Sequence, residues 1–327
     1  NEHLLHVKKE DYWFTVDFLF DVQLVKYNSD LAYTYNNSRI LNVNGENIPV
    51  VTDIEKVINS INMMIISNSS NLHLKYLRLA IKNNVHTYIE KPIACDLNQI
   101  SNLSKQAVDK QLVVAVGMQF RFNKMLVKLK KRLDSNSFGR IISVVSSHGE
   151  HVADYHPGED YRSSYAANKQ QCGGVLLTQI HHIDYLNWLF GPFTNVYANE
   201  MASPSLKIDT DGVVNYSLVS SEKLQVHGHL NYLQRPKSTT LSVIGETGSA
   251  YWNYEKNTID LAINSKNITE ISSTDRNEMF LLAMRNFIES VKFSKKPESD
   301  LNDGIKSMEI VDSIKKSVSS GIVEKIN

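Results

Sequence analysis

The stretch His86-Thr87-Tyr88-Ile89-Glu90-Lys91-Pro92 decides how this chain is read. A short apolar-leaning strand that ends in a lysine, followed by a proline with a fixed backbone angle, holds an amine at the edge of a sheet. In open parallel sheets ligands gather beyond the carboxyl ends of the strands, so Lys91 is placed where chemistry happens. Further along, Gly173-Gly174-Val175-Leu176-Leu177-Thr178-Gln179-Ile180-His181-His182-Ile183-Asp184 carries a histidine pair. A lysine and a histidine brought together by folding act on the oxygen and the proton of an alcohol. That pairing points to oxidation of an alcohol or reduction of a ketone.

Working outward, the first third alternates short strands with helical patterns, the signature of a parallel sheet covered by helices. Strands are predicted at Asp21 to Val25, Asn62 to Ile66, His86 to Glu90 and Leu112 to Val116, the last closed by Gly117. Between them fall a short helix over Asp53 to Ser60, a helix over Asn71 to Asn83, and one from Asp96 to about Lys110, with Asp53 and Asp96 as N-caps. The pattern then changes. Lys124 to Leu133 is a basic amphipathic helix and Arg140 to Ser146 begins a strand. His148 to Gln171 is a polar, aromatic loop, and a helix from about Val175 to Phe190 stops at Gly191-Pro192. Successive strands follow from Val196 to Ile263. Two helices, roughly Asn277 to Phe293 and Leu301 to Ser319, close the chain. A boundary near residue 120 therefore divides residues 1–120, a Rossmann-like α/β half, from residues 121–327, an α+β half with a large, mostly antiparallel open sheet.

The 327 residues carry a formal net charge of zero, which gives no electrostatic case for nucleic acid or an anionic membrane as partner. No apolar run is long enough to span a bilayer. The two cysteines, Cys95 and Cys172, are too few for a disulfide framework and lack metal spacing, so a reducing, cytoplasmic setting is expected.

Three features together resemble the Gfo/Idh/MocA oxidoreductases: the strand ending in Glu90-Lys91-Pro92, the segment Gly117-Met118-Gln119-Phe120-Arg121-Phe122, and Gly173-Gly174 followed by His181-x-x-Asp184. The resemblance runs from about residue 50 to the C-terminus. Asp154-Tyr155-His156-Pro157 through Asp160-Tyr161-Arg162 is similar to a branch associated with bacterial surface sugars. The resemblance implies a Rossmann domain, a second domain whose open sheet forms a subunit interface, and an active site between them. It implies NAD or NADP as cofactor, a sugar, cyclitol or sugar nucleotide as substrate, and a homodimer or homotetramer. A cis peptide at Lys91-Pro92 is also implied.

The chain departs from that pattern in three places. No G-x-G-x-x-G occurs, and Glu2 to Lys8 looks like the first helix already under way; the chain starts at Asn1 and is expected to lack its opening residues. Thr178 and Gln179 stand where the family often carries an aspartate. The segment Leu24 to Ser29 has no acid for a ribose 2′-hydroxyl, while Lys26 and Ser29 tolerate a 2′-phosphate.

Lys91 stabilises a developing alkoxide, or is a surface lysine at a strand end. His181 is the general acid/base, with His182 its neighbour about 100° around the helix, or one of the two is a core histidine. Asp184 orients His181 or anchors helix packing. Thr178 positions a substrate oxygen. Tyr161, Arg162 and Tyr165 line the substrate pocket, or sit in a solvated loop with a surface ion pair; Arg121 contacts substrate or bridges domains. Ser67, Asn68, Ser69, His73, Glu90 and Pro92, with Lys91, lie where cofactor ribose or phosphates bind. His148, Glu150, His151 and His156 match no common metal spacing, and no metal is expected. The polar row Gln225, His227, His229, Asn231 faces a partner subunit or solvent. Two further readings stand: a binding or regulatory protein that keeps the fold without dinucleotide affinity, and an NAD-dependent glycosidase.

Overall fold

The computed structural model describes the backbone of residues 4–9, 12–17, 40–43 and 46–49, and residues 53–326 apart from 98, 99, 101, 157, 264, 265 and 274. In chain order the elements begin with two hairpin ladders, β1 (Leu4–Lys9) with β2 (Tyr12–Asp17) and β3 (Ile40–Val43) with β4 (Glu46–Pro49). Leu4–Lys9 is thus a strand and not the helix expected there. Its partner carries Tyr12, Trp13, Phe14, Thr15 and Val16, aromatic and β-branched types that favour a pleated strand. The strand expected at Asp21 to Val25, with Lys26 and Ser29, lies outside the described residues.

β5 (Met63–Ile66), α1 (His73–Lys82), β6 (His86–Ile89), α2 (Leu103–Asp109) and β7 (Val114–Val116) build a three-stranded parallel sheet in the order β5-β6-β7. Asp53 does cap a turn, accepting from the Glu55 amide at 3.1 Å, but Asp53 to Ser60 forms two short 3₁₀ turns. Asp96 caps no helix, because α2 starts only at Leu103. The strands are apolar at nearly every position because both faces are covered. Leu77, Ala80 and Ile81 of α1 share the core on one face with Ile66 and Ile89. Ile65, Tyr88, Val113 and Ala115 on the other face meet Ala283, Met284 and Phe287. Those last three belong to the helix Asn277–Lys292, from the far end of the chain.

α3 (Lys124–Asp134) is capped by Asn123, whose side chain accepts from the amides of Met125 and Leu126. Then come β8 (Ile141–Gly149), α4 (Val175–Thr178), α5 (Ile180–Phe190), β9 (Phe193–Glu200), β10 (Val213–Ser220), β11 (Gln225–Asn231), β12 (Ser238–Gly245), β13 (Gly248–Asn253), β14 (Thr258–Ile263), β15 (Lys266–Ile271), α6 (Asn277–Lys292), α7 (Leu301–Ser320) and β16 (Glu324–Lys325). The helix expected over Val175 to Phe190 is broken at Gln179 into α4 and α5. The strands form one nine-stranded sheet, β15-β14-β13-β12-β8-β11-β10-β9-β16, antiparallel except where β11 pairs with β8. β10 and β12 alternate buried with half-exposed positions, as a sheet packed on one face must. The open face carries Val145, Tyr197, Ile244 and Tyr251. It also bears hydrogen-bonded pairs, Ser217 with His227 at 2.8 Å and Asn215 with His229 at 2.7 Å.

The closing helices tie the two sheets together. Burying Met284 and Phe287 of α6 under the parallel sheet stabilises that docking by about 1.5–3 kcal/mol each. Ahead of α7, the Val116 amide donates to Ser299 O at 2.9 Å and Ala115 bridges Asp300, which occupies the outer edge of β7. Gly304 of α7 lets the helix approach Val116 and Ile93 closely.

Candidate active site

Three turns leave the carboxyl ends of β5, β6 and β7, and their side chains are the raw material of the site. After β5, Asn68 is buried and its Oδ1 has no partner among the described residues. His73 lies 1% exposed between two turns, with Nδ1 at 2.7 Å from Pro92 O and Nε2 at 2.8 Å from Asn68 O. Both ring nitrogens are therefore occupied, and burial holds the ring below its ordinary pKa. His73 is a strut that sets the β5 turn against the β6 turn, not the free cofactor contact expected. After β6, Glu90 packs against Gly117, where a Cβ would come within 2.7 Å of its Oε1. The Lys91 amide donates to Glu90 Oε2 at 3.3 Å, and burial raises the Glu90 carboxyl. The Lys91-Pro92 peptide is cis.

Lys91 Nζ donates to Thr178 O at 2.8 Å, three positions before His181. Burial lowers the Lys91 ammonium, with Glu90 opposing and Arg276 adding to the shift. His181 is 5% exposed, and its Nε2 meets Gln119 Nε2 at 3.0 Å. With the amide as donor, the ring proton sits on Nδ1, which has no partner among the described residues. Burial first, then the Lys91 charge, depresses His181 well below the ordinary histidine value, so the ring is neutral. The arrangement pairs a cationic donor with a neutral imidazole whose one basic nitrogen, Nε2, is held by the Gln119 amide. The Thr178 hydroxyl is not available as expected. It donates to Gly174 O at 2.9 Å and meets the Tyr232 hydroxyl, so the threonine serves the site through its carbonyl.

The turn into α4 depends on Gly174. Its φ is +103° and a Cβ would stand 2.2 Å from Asp211 Oδ1, the carboxylate that accepts the Leu176 amide through Oδ2 at 2.8 Å. Gly174→Ala is expected to lower stability by about 2 kcal/mol or more, read as a fall in the urea midpoint.

Arg121 and Asp184 are engaged by the protein itself. They bind one another, Nε to Oδ2 at 2.9 Å and Nη2 to Oδ1 at 2.8 Å, with Arg121 only 4% exposed. Arg121 Nη1 also reaches Asp303 at 3.2 Å and Glu298 O at 2.9 Å, and Ser307 donates to Asp184 at 3.1 Å. Burial opposes the Arg121 charge, but Asp184 and Asp303 outweigh it and lift its pKa above the ordinary value. Asp184 thus anchors packing and makes no bond to His181.

In the loop after β8, Tyr161 donates to Leu206 O at 2.9 Å. Arg162 is exposed and forks onto Asp160, two residues away. Tyr165 is 39% exposed, and the nearby Glu90 and Glu150 charges, after burial, raise its hydroxyl. His148, Glu150, His151 and His156 separate: His148 bonds Thr239 at 2.9 Å, Glu150 pairs with Lys237 at 2.8 Å, His151 caps a turn, and His156 faces Tyr165. Among the described residues no three histidine, cysteine or acidic side chains converge as metal ligands. His182 is fully buried, its ring 4.3 Å from that of His148.

Sequence reasoning missed Gln119, Tyr155 and Arg276 as participants. Gln119 lay in a segment already singled out, two residues before Arg121. Tyr155 accepts from Gln179 at 2.6 Å. Arg276 lines a cavity of about 260 Å³ with Phe122, Tyr254 and Asp275, and its charge reaches both Lys91 and His181. Nothing in the local pattern around Arg276 marks it. The cysteines correct a further expectation: Cys95 and Cys172, separated by 77 positions, are disulfide-bonded with a Cα–Cα distance of 4.8 Å. The tertiary fold alone brings them together.

Residues 26–118 match the model of an oxidoreductase family, NAD-binding Rossmann fold, and residues 126–251 match the GFO/IDH/MocA C-terminal domain. An uncharacterized oxidoreductase of Synechocystis sp. is 28% identical over 184 residues, 55% of this chain and 44% of that protein. A D-xylose dehydrogenase of Paenarthrobacter nicotinovorans is 29% identical over 152 residues, 45% of this chain and 39% of that protein. The chain thus spans less than half the length of these relatives. Levoglucosan dehydrogenase in complex with NADH and levoglucosan shares the fold with a TM-score of 0.78 at 19% identity, over 84% of each chain.

Proposed function

Because the chain belongs to the GFO/IDH/MocA oxidoreductase family, we propose that it is an NAD(P)-dependent dehydrogenase or reductase acting on a hydroxyl or ketone of a sugar, cyclitol or sugar nucleotide. The observation that carries this reading is Lys91 Nζ fixed at 2.8 Å from Thr178 O, beside a neutral, buried His181. The printed activities of the xylose and levoglucosan dehydrogenases support the substrate class.

The residues present fit a dinucleotide. Asn68 Oδ1, Gln119 Oε1 and His181 Nδ1 are buried polar atoms without partners among the described residues, at or beside the carboxyl ends of the parallel strands. Such atoms are costly to leave unmade and are satisfied by bound polar groups. Ser67, Asn68 and Ser69 with Glu90, Lys91 and Pro92 would hold the cofactor, which supplies the hydride acceptor or donor when bound. Lys91 keeps donors beyond the one given to Thr178 O and stabilises negative charge on the substrate oxygen. His181, neutral by burial, takes the hydroxyl proton at Nε2 in oxidation, where the substrate hydroxyl replaces the Gln119 amide, and returns it in reduction. Tyr165 and the exposed Arg162 border the substrate side.

Residues 1–120 are read as the dinucleotide-binding unit and residues 121–327 as the substrate and assembly unit, a division supported by the spans of the two family models. The exposed Val145, Tyr197, Ile244 and Tyr251 on the open sheet face support a homodimer or homotetramer through that face. No helix among the described residues is long and apolar enough to cross a membrane.

The test is a screen of pyranoses, inositols and nucleotide sugars with NAD and NADP, followed by absorbance at the nicotinamide band. On the substrate found, Lys91→Met is expected to lower kcat by about 10²–10³ at saturating cofactor. Full turnover by that variant overturns the assignment of Lys91.

A further inference from the structure

The chain contains two cysteines, and the fold joins them to each other across the two segments that carry Lys91 and His181. Cys95 follows Lys91 by four positions through the cis-proline turn. Cys172 immediately precedes Gly173-Gly174 and the short helix α4, whose last residue, Thr178, holds Lys91 Nζ through its carbonyl. The same two segments are therefore tied twice, once by a covalent bond and once by the hydrogen bond that places the lysine. We infer that Cys95 and Cys172 form a redox-controlled clasp that sets the position of Lys91 relative to His181.

Two chain-specific observations make this more than an incidental contact. Each partner sits in a fixed setting: Cys172 has φ +64° and closes the turn Lys169–Gln171, and Cys95 follows the buried pair Ile93 and Ala94. Both backbones are thereby fixed, and the Cα separation of 4.8 Å lies within the range that a disulfide spans. The tie also closes a long stretch of chain, which is where a crosslink most restricts the unfolded ensemble.

The chemistry balances with a low-molecular-weight disulfide such as oxidised glutathione as oxidant. Cys95 is half-buried while Cys172 is 2% exposed, so Cys95 is the thiol an external reagent meets. Its thiolate attacks one glutathione sulfur and expels one glutathione thiolate. Cys172, deprotonated, then attacks Cys95 Sγ in the mixed disulfide and expels the second. The protein loses two electrons and two protons, and one glutathione disulfide becomes two glutathione thiols. A dithiol reductant reverses both steps. With the covalent tie open, the Lys91–Thr178 hydrogen bond still joins the β6 turn to the α4 turn, and Lys91 gains freedom.

The consequence for catalysis rests on the reading of Lys91 given above, so the test reads thiols and lysine reactivity and not turnover. The full chain is equilibrated with oxidised glutathione or with dithiothreitol, alkylated, and mapped by mass spectrometry without reduction. The Cys95 and Cys172 peptides are expected joined in the first sample and separately alkylated in the second. The oxidised protein is expected to melt roughly 5–7 °C above the reduced one, reversibly. Acetylation of Lys91 by an activated ester is expected to rise severalfold on reduction. Cys172→Ser is expected to label at the faster rate in both buffers, with the other lysines unchanged. Two free thiols after equilibration with oxidised glutathione would refute the bond. A joined pair with Lys91 labelled equally in both states would refute the clasp, leaving the oxidoreductase reading untouched.

Discussion

Arg121→Leu is expected to destabilise the protein by about 3–5 kcal/mol, because it strands a buried carboxylate. The guanidinium makes two parallel bonds to Asp184, at 2.9 and 2.8 Å, and touches Asp303 and Glu298 O. Asp184 takes a further bond from Ser307. Arg121 sits in the turn after β7, Asp184 on α5, Asp303 and Ser307 on α7, and Glu298 in the segment that leads to the β7 edge. One side chain therefore joins the parallel sheet to both helices that back the second sheet. A surface pair would contribute little, since solvent screens it. Here Arg121 is only 4% exposed and Asp184 fully buried, so neither charge can turn to water when its partner is removed. The measurement is thermal unfolding, with Tm falling by roughly 4–7 °C in a chain of this size. Arg121→Leu with Asp184→Leu should recover much of that loss, since replacing both charges removes the stranded ion. A double variant no better than the single one would contradict the account.

Lowering the pH from 7 to 5.5 is expected to remove about 4 kcal/mol of stability through three buried histidines. His148 is held down to about 3, and His181 and His182 lie well below the ordinary value, all three chiefly by burial. In the unfolded chain each titrates near 6.5. Below that pH the unfolded state binds protons that the folded state refuses, so stability rises with pH. The contribution is complete above about pH 6.5 and declines as pH falls towards the folded values, by about 1.4 kcal/mol per unit for each ring. Neighbouring charges deepen the effect, Lys237 at His148 and Lys91 with Arg276 at His181. The rings of His148 and His182 are stacked at 4.3 Å, so charging one raises the cost of charging the other. The check is the urea midpoint at the two pH values, followed by His148→Asn, which should reduce the pH slope by about one proton. Equal midpoints for the wild type would mean that these rings are already charged, and the neutral His181 assigned above would fall with them.

Much of the architecture was legible along the chain because it rests on local periodicity. The alternation of β10 and β12, the stop at Gly191-Pro192, and the strand that delivers Lys91 each follow from a pattern a few residues long. The failures share a different cause. Leu4–Lys9 has both helical and strand character, and pairing with Tyr12–Asp17 decides for strand. The break at Gln179 splits an apolar run that reads as one helix. Arg121, Arg162 and Thr178 carry functional groups that suit a substrate, yet each is engaged by another part of the protein: Asp184, Asp160 and Gly174 with Tyr232. For Arg121 with Asp184 and Thr178 with Tyr232 the partner lies far along the chain, and spacing holds no record of it; Arg162 meets Asp160 only two residues away, the surface ion pair that was its plainer reading.

Taken alone, the sequence determined the strand-borne amine at Lys91, the imidazole at His181, and the order of parallel then mostly antiparallel sheets, because periodicity, turn chemistry and residue type are local properties. The tertiary structure decided which charges cancel, that Thr178 offers its carbonyl and not its hydroxyl, that α6 returns to cover the parallel sheet, and that Cys95 meets Cys172. Burial and long-range packing set those outcomes. They fix what each polar group faces, and with it the protonation state and reach on which the chemistry depends.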